Sequence, residues 1–189
     1  MKSALRKIWN FIWYEDSLTS WIVNILLALL IVRFIIYPLL GFILGTNYPL
    51  VAVVSSSMEH EASFDGWWEA NKEWYLKNGI SETQFKNFPY TNGFNKGDIM
   101  LLKKPTSINV GDVIVYKTNY PAPIIHRVIK TYQKNNQNLY ITKGDHNSDR
   151  DPNEVSNVVG KAILRIPWLG YVKIWAVEFV WNPIINIFS

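Results

Sequence analysis

The sequence contains no cysteine, so disulfide bonds and catalysis by a thiol are excluded. It also lacks any long run of basic residues, because its 19 lysines and arginines are scattered and the formal net charge is +4. This distribution argues against nucleic-acid binding. With 189 residues, 49% of them hydrophobic, the chain is long enough for one domain of medium size and one membrane segment.

One long apolar run is present near the N-terminus. Residues 21–45 read WIVNILLALLIVRFIIYPLLGFILG and contain a single charged residue, Arg33. A helix of this length crosses the roughly 30 Å hydrocarbon core of a bilayer, so we predict a transmembrane anchor at residues 18–45, kinked at Pro38. We expect the Arg33 side chain to snorkel or to pack against another protein. A cleavable signal peptide is the alternative, but the run is long for one and no small-x-small site follows it closely.

The charges that flank this run predict its orientation. Lys2, Arg6 and Lys7 precede it, whereas residues 46–66 contain no lysine or arginine. The positive-inside rule therefore predicts an N-terminus in the cytoplasm and the rest of the chain on the outer face of the cell membrane, or in the lumen if the protein is eukaryotic. Residues 1–17 mix basic and aromatic side chains, which is typical of a segment at the membrane surface.

Residues 46–167 are predicted to form one mainly β domain, which is the exported part of the chain. Short runs rich in Val, Ile, Leu and Tyr alternate there with turn residues. These runs are Leu50–Val54, Asp98–Leu102, Val113–Tyr116, Ile124–Ile129, Leu139–Thr142 and Val158–Ile166. Two of them begin near the same dipeptide, at Gly97-Asp98 and Gly111-Asp112, which indicates a shared type of turn.

A helical insertion at about residues 61–93 interrupts the predicted strands. Its composition is aromatic and favours helices, with Gly79 placed to end one helix and Ser81, with Gln84, placed to cap a second. Its tryptophans are Trp67, Trp68 and Trp74. We expect them to form a small core of their own, with contact to the lipid interface as the alternative.

The C-terminal segment, residues 168–189, is hydrophobic with helical spacing. Charged residues and Pro183 interrupt its apolar positions. A helix lying on the membrane is therefore the favoured interpretation, and a second membrane span is the alternative.

Residues 54–60, VSSSMEH, place three serines in a row shortly after the apolar run. A serine nucleophile needs a base within hydrogen-bond reach, a group that orients this base, and donors for the oxyanion. His126 lies in the strand-like IIHRVIK and is the best candidate for the base, because a polar residue among β-branched neighbours needs a partner. A structural histidine bonded to the backbone is the alternative. His60 lies too close to the serines along the chain, and His146 lies in a polar loop.

The segment TKGDHNSDRDP contains three aspartates, Asp145, Asp149 and Asp151. Such a group can orient a histidine, bind calcium or solvate a loop. The calcium template of the EF-hand fails, because its glycine and its glutamate are both absent. No metal site is predicted, and the residues alone leave a catalytic loop and a solvated loop equally open.

Taken together, these short boxes resemble those of the type I signal peptidases, in particular the archaeal and endoplasmic-reticulum branch. Ser55-Ser56-Ser57-Met58-Glu59 stands where the family has S-G-S-M-E-P, and His126-Arg127-Val128 stands where the bacterial branch has Lys-Arg. The other boxes are Gly97-Asp98-Ile99, Gly111-Asp112-Val113-Ile114, Lys143-Gly144-Asp145 with Asn147 and Asp151 downstream, Gly160-Lys161 and Pro167-Trp168-Leu169-Gly170-Tyr171. The resemblance covers about residues 18–171. It has two departures: His60 replaces the usual proline, and the aromatic insertion is absent from short members.

The resemblance implies a β catalytic domain of the signal-peptidase type and a role for each matched residue. Ser57 is the expected nucleophile. The Ser55 hydroxyl is expected to join the Ser57 backbone N–H in an oxyanion hole. Met58 is expected to help line the pocket for the small residues that precede the cleaved bond.

The same resemblance assigns the base and its orienting group. His126 takes the serine proton and returns it to the leaving amine. Both Asp145 and Asp151 match acidic positions of the family, and one of them is expected to fix the tautomer of this histidine. We favour Asp145, because it directly follows the glycine that ends a strand and so lies on a short, rigid turn. The other aspartate is then expected to hold the loop through Arg127 or Lys143.

The implied function is the removal of signal peptides from exported precursor proteins by a membrane-bound serine endopeptidase that needs no cofactor. Its expected partners are these precursors, the lipid bilayer and, as a further candidate, the protein-export channel. A membrane-anchored binding or assembly protein without enzymatic activity is the alternative, but it needs no serine, histidine and aspartate in the family's order. A self-cleaving or intramembrane protease is a third class, and no catalytic pair lies within the apolar run to support it.

Overall fold

The computed structural model describes residues 2–118 and 123–175. The chain divides into two compact units, Met1–Ile43 and Leu44–Ser189. Most of the predicted surface helix or second span at residues 168–189 lies outside the described residues, and its described part contains a short helix at Gly170–Trp175.

The first unit is helical and contains the predicted anchor. Its elements are α1 (Lys2–Trp13), α2 (Leu18–Ile31), a π-helical turn (Val32–Ile36) and α3 (Tyr37–Leu44). Among the described residues, the continuous stretch Leu18–Leu44 is the one helix long and apolar enough to cross a membrane, with a mean hydropathy of 2.5. Ser20 and Asn24 of α2 donate hydrogen bonds to the carbonyls of Phe11 and Ile12. These bonds supply partners for carbonyls that the end of α1 leaves unpaired.

The anchor helix is irregular just before its proline. The sequence predicts a kink at Pro38, and the structure has a π-helical turn over Val32–Ile36, after which the Tyr37 N–H donates to the Val32 carbonyl. A wider turn at this place accommodates the proline, which has no N–H to donate and whose ring crowds the carbonyl four residues earlier. Arg33 lies within this turn.

The second unit is built on one six-stranded antiparallel sheet. Its strands are β1 (Leu50–Ala52), β2 (Ile99–Lys103), β3 (Val113–Tyr116), β4 (Ile124–Lys134), β5 (Gln137–Lys143) and β6 (Val158–Ile166). The spatial order is β1-β2-β6-β3-β4-β5. The predicted mainly β fold is confirmed, and β3 and β6 have the predicted bounds. β4 and β5 are longer than predicted, because their shared hairpin carries exposed polar residues that a search for apolar runs does not detect.

The main hydrophobic core lies against this sheet and reaches the serine run. Its buried members are Val53, Met58, Phe94, Met100, Leu102, Val113, Val115, Ile125 and Ala162. Burial of one such side chain contributes about 1.5–3 kcal/mol. Because Met58 immediately follows the three serines, their turn is anchored directly to the core.

The two Gly-Asp turns have the same construction. Gly97 and Gly111 have φ angles of 90° and 95°, which glycine adopts without strain. The carboxylates of Asp98 and Asp112 each accept a hydrogen bond from the backbone N–H three residues earlier, at 2.8 and 2.9 Å. Each aspartate also forms an ion pair with a basic residue of β6. The shared turn predicted from the dipeptide is confirmed.

The insertion folds as two helices, α4 (Phe64–Lys77) and α5 (Glu82–Lys86). Gly79, with a φ of 79°, follows the first helix, and Ser81 caps the second by accepting a hydrogen bond from the N–H three residues later. An aromatic cluster joins both helices to β4, and its buried members are Trp67, Trp68, Tyr75, Ile80, Phe85 and Ile129. Trp67 and Trp68 are buried together as predicted, but the cluster includes Ile129 of β4 and so is not a core of the insertion alone, and Trp74 packs at its edge and is partly buried.

Candidate active site

Ser57 lies in the turn that follows β1 and is half-buried. Its Oγ is 3.0 Å from Nε2 of His126. The backbone that follows this hydroxyl is held by two hydrogen bonds, because the Ser57 carbonyl accepts one from the His146 N–H at 2.9 Å and the Met58 carbonyl accepts one from the Phe94 N–H at 3.0 Å. The candidate nucleophile therefore projects from a fixed backbone.

His126 is the third residue of β4 and bridges Ser57 and Asp151. Its Nδ1 is 2.6 Å from Oδ2 of Asp151, while its Nε2 faces the serine hydroxyl. A proton on Nδ1 pairs with the carboxylate and leaves the Nε2 lone pair free to accept the serine proton. The imidazole is buried, so the strand holds the ring in one orientation.

The Asp151 carboxylate has three donors at one oxygen. The hydroxyls of Tyr116 and Thr142 lie 2.9 and 2.7 Å from Oδ2, beside the His126 ring. Burial alone would raise the pKa of Asp151, but the hydrogen bond from His126, the charge of that ring and the two hydroxyls lower it below its usual value. Burial also raises the pKa of Tyr116, so its hydroxyl stays protonated as a donor.

Asp145 lies on the same loop, but its carboxylate has a different set of partners. It is fully buried, with Arg127 Nε 2.9 Å from Oδ1, an Arg127 terminal nitrogen 2.7 Å from Oδ2 and His60 Nε2 3.1 Å from Oδ2. Burial alone would raise the pKa of Asp145, but the Arg127 guanidinium and the His60 hydrogen bond lower it to about 2. The preference for Asp145 as the partner of His126 is therefore wrong in this structure, where Asp151 makes that contact.

Strand geometry explains how the two aspartates are sorted. Successive side chains of a strand point to opposite faces, so the neighbours His126 and Arg127 face different surroundings. His126 contacts Asp151, and Arg127 contacts Asp145. The remaining donors of this buried guanidinium bond to the carbonyls of Pro89, Tyr90 and Gly111. The aspartate that holds the loop through Arg127 is thus Asp145.

The other two predicted site residues flank the serine. Ser55 Oγ is 3.2 Å from Ser57 Oγ, so a second hydroxyl lies beside the candidate attacking atom. Met58 has no exposed surface, and its sulfur accepts a hydrogen bond from the Asp145 N–H at 3.4 Å. The structure shows a packing role for Met58, and its predicted contact with substrate stays a prediction.

His60 has a place in the site that the sequence does not suggest. Its side chain is 1% exposed and stacks on Trp67, with ring centroids 3.8 Å apart and an interplanar angle of 4°. Its Nδ1 has no hydrogen-bond partner among the described residues. The one signal in the sequence is the departure itself, a histidine at the family's proline position. The ring connects the serine turn to both Asp145 and the insertion.

Comparison with known proteins finds relatives along most of the chain. It is 30% identical over 154 residues to the signal peptidase complex catalytic subunit sec11 of Schizosaccharomyces pombe, covering 76% of this chain and 75% of that protein. It is 29% identical over 171 residues to the subunit of the same name from Plasmodium falciparum, with coverages of 85% and 75%. For Scheffersomyces stipitis the identity is 28% over 160 residues, with coverages of 78% and 77%. No family model matches the chain, and no solved structure matches it.

Proposed function

Because this chain belongs to the family of signal peptidase complex catalytic subunits, we propose that it is a membrane-bound serine endopeptidase that removes signal peptides from exported precursor proteins. The observation that carries the proposal is one continuous line of contacts from Ser57 Oγ through His126 to Asp151. An anchored binding protein without enzymatic activity needs no such line, and the relatives do not favour it.

In the proposed reaction, Ser57 Oγ attacks the carbonyl carbon of the bond to be cleaved. Nε2 of His126, 3.0 Å away, accepts the hydroxyl proton as the new C–O bond forms. The imidazolium then donates this proton to the leaving amine as the C–N bond breaks, which releases the mature protein and leaves an acyl-enzyme. A water molecule that gives a proton to the same histidine hydrolyses the ester and restores the serine.

Asp151 acts on the histidine rather than on the substrate. Its 2.6 Å contact keeps the proton on Nδ1 of His126, and its negative charge stabilises the imidazolium. The hydroxyls of Tyr116 and Thr142 hold the carboxylate in place. The lowered pKa of Asp151 keeps this carboxylate ionised at neutral pH.

Ser55 supplies one donor of the proposed oxyanion hole, and the Ser57 backbone N–H supplies the other. The Ser55 hydroxyl is 3.2 Å from the attacking oxygen, which is close enough to reach the carbonyl oxygen of a bound peptide. A donor at this place stabilises charge that is present in the transition state and absent in the substrate.

The proposed location is a membrane, with the helix Leu18–Leu44 as anchor. The basic residues before this helix favour a cytoplasmic N-terminus and a catalytic domain on the outer face, or in the lumen of a eukaryotic cell. Protease added to right-side-out vesicles should then cut the insertion at residues 65–92. Protection in closed vesicles, together with ready cleavage after detergent is added, would show that the protein has the opposite orientation.

The proposed partners follow from the family. The relatives are named as subunits of a complex, so further membrane subunits are candidates for this chain. The precursor proteins are the substrates, and the bilayer and the protein-export channel are the proposed surroundings. Purification of the native complex from membranes would identify the subunits.

The test of the function is cleavage in trans. The full chain in liposomes receives a separate precursor with a small-x-small site, and mass spectrometry identifies the new N-terminus. Ser57→Ala should lose nearly all cleavage. Ser56→Ala is the matched control, because Ser56 is exposed and stands where the family has glycine, and it should cleave at close to the wild-type rate.

An acylating active-site probe gives a second readout for the same proteins. It should label the wild type and Ser56→Ala and leave Ser57→Ala unlabelled. Cleavage by Ser57→Ala would refute the nucleophile. A wild type that neither cleaves the precursor nor takes the label would support the anchored binding protein instead.

A further inference from the structure

The loop that carries Asp151 also supports Ser57. We call residues 144–151 the acidic loop. Its His146 N–H donates to the Ser57 carbonyl at 2.9 Å, and its Asp151 N–H donates to the Thr142 carbonyl at 2.8 Å. Gly144 packs so closely on the serine turn that an added Cβ would lie 2.7 Å from the Ser57 carbonyl oxygen. A shift of this loop therefore displaces the nucleophile and the partner of His126 together.

Helix α4 of the insertion contacts the acidic loop through Trp74. The indole N–H of Trp74 donates to Oδ1 of Asp149 at 3.1 Å. The Trp74 ring also faces the ammonium group of Lys143, which is 5.1 Å from the ring centroid. Trp74 thus contacts the acidic loop at Asp149, near its end, and also contacts Lys143, which directly precedes the loop.

Lys143 carries this contact into the backbone of the loop. Its ammonium lies 5.1 and 5.0 Å from the ring centroids of Trp74 and Tyr75, and it donates to the carbonyls of Gly144 and Asp145 at 3.1 and 3.4 Å. In the described part of the chain these are its partners, and no carboxylate pairs with it directly. Burial lowers the pKa of Lys143 to about 8, so at neutral pH it stays a cation that depends on the two ring faces.

We propose that Trp74 is a positioning residue, through which helix α4 holds the acidic loop in the arrangement that aligns Asp151 and Ser57 with His126. The inference rests on the proposed function, because alignment matters only if these three residues perform the reaction. A misplacement of about 1 Å can lower turnover about 100-fold without any loss of chemical groups. The insertion, which short members of the family lack, is then part of what makes this site competent.

The position of Trp74 allows this role to be separated from stability. It lies at the edge of the aromatic cluster, whereas Trp67, Trp68 and Tyr75 form the buried centre. Its hydrogen-bond acceptor, Asp149, is exposed. A change at Trp74 should therefore alter the acidic loop more than the folding of the insertion.

The experiment measures kcat and KM for cleavage in trans, with thermal unfolding of each variant. Trp74→Leu removes both the indole N–H and the ring face, and kcat should fall about tenfold or more with KM within about twofold. Trp74→Phe keeps the ring over Lys143 and should lose about threefold. Leu76→Ala, at a 55% exposed position of the same helix, is the matched control and should match the wild type.

A double-mutant cycle isolates the hydrogen bond to the loop. Trp74→Phe and Asp149→Ala should each lower kcat about threefold, and the double variant should lose no more than either one, because both remove the same contact. This cycle decides the matter even if Trp74→Leu folds poorly. Independent losses that multiply to about ninefold would overturn the proposal.

Two further results would overturn it. One is wild-type kcat in Trp74→Leu while Ser57→Ala is inactive, which refutes the positioning role and leaves the proposed function intact. The other is a raised KM with unchanged kcat, which makes Trp74 a substrate contact. An inactive, unlabelled wild type would refute the proposed function, and this inference with it.

Discussion

Asp145 and Asp151 lie six positions apart on one loop, yet their surroundings differ in kind. The Asp145 carboxylate is sealed from solvent and faces the guanidinium of Arg127 in a buried ion pair. The Asp151 side chain is 15% exposed and faces the imidazole of His126, whose other nitrogen lies 3.0 Å from the Ser57 hydroxyl. The first arrangement suits permanent structure and the second suits proton transfer. What separates them is the identity of the basic partner, since both partners are neighbours on β4.

The largest expected effect comes from removing the imidazole of His126. His126→Ala should lower cleavage by a factor on the order of 10⁵–10⁶, because among the residues that the structure describes no other base lies within hydrogen-bond reach of Ser57 Oγ. His126→Lys should not restore activity, since lysine is longer and mostly protonated beside Asp151. Turnover is measured with the precursor in trans, and probe labelling of Ser57 reports the active site. Near-normal turnover in His126→Ala would place the base elsewhere.

Asp151→Asn should come next, with a loss of about 10⁴-fold in turnover. The neutral amide cannot stabilise an imidazolium, but its oxygen, placed where Oδ2 lies, can still accept from Tyr116 and Thr142. The free energy of unfolding should therefore change by less than about 1 kcal/mol. Asp149→Asn is the comparison on the same loop and should stay within about threefold of the wild type, because its amide oxygen can still accept the hydrogen bond from Trp74. A larger loss in Asp149→Asn than in Asp151→Asn would refute the assignment.

Asp145→Asn should affect stability more than chemistry. It leaves the Arg127 guanidinium buried without a counter-charge, which costs about 3–5 kcal/mol in the free energy of unfolding. Denaturant titration measures this loss, and turnover is expressed per probe-labelled Ser57 so that unfolded protein is not counted. Wild-type stability in Asp145→Asn would mean that the buried pair is not structural.

The smallest expected effect is a dependence of stability on acid. The pKa of Asp145 is lowered from 3.8 to about 2 in the folded protein, so the unfolded state binds more protons between these values. The stabilisation, about 2 kcal/mol, is complete above about pH 4 and disappears as the pH falls through 2. The difference in unfolding free energy between wild type and Asp145→Asn should therefore shrink across this window. A difference that stays constant from pH 5 to pH 2 would contradict the lowered pKa.

Much of the fold could be predicted from the sequence, because its signals are local. β3 and β6 are short apolar runs with turn residues at both ends, and their bounds agree with the structure. The two helices of the insertion carry their own end signals in Gly79 and Ser81. The sequence predicts a kink near Pro38 but not the π-helical turn that precedes it. The form of the irregularity depends on how the neighbouring carbonyls are accommodated, which the sequence does not show.

The partners of the site could not be predicted in the same way, because they depend on contacts between distant parts of the chain. The preference for Asp145 rested on its position on a tight turn. Such a turn indicates that the carboxylate is held rigidly, but not towards which residue it points. Two features determine which aspartate contacts which basic residue. His126 and Arg127 point to opposite faces of β4, and the acidic loop brings Asp151 to the first and Asp145 to the second. The stacking of His60 on Trp67 likewise requires the insertion to fold back onto the serine turn.

The Nδ1 of His126 contacts Asp151, and not Asp145, so Asp151 should hold its proton. The most direct test is proton NMR of the imidazole N–H groups in protein labelled with ¹⁵N-histidine, with His126→Ala used to assign the signal. A proton in a 2.6 Å contact with a carboxylate should appear as a strongly downfield resonance. This resonance should be lost in Asp151→Asn and retained in Asp145→Asn. Its persistence in Asp151→Asn, or its loss in Asp145→Asn alone, would show that Asp151 does not hold this proton.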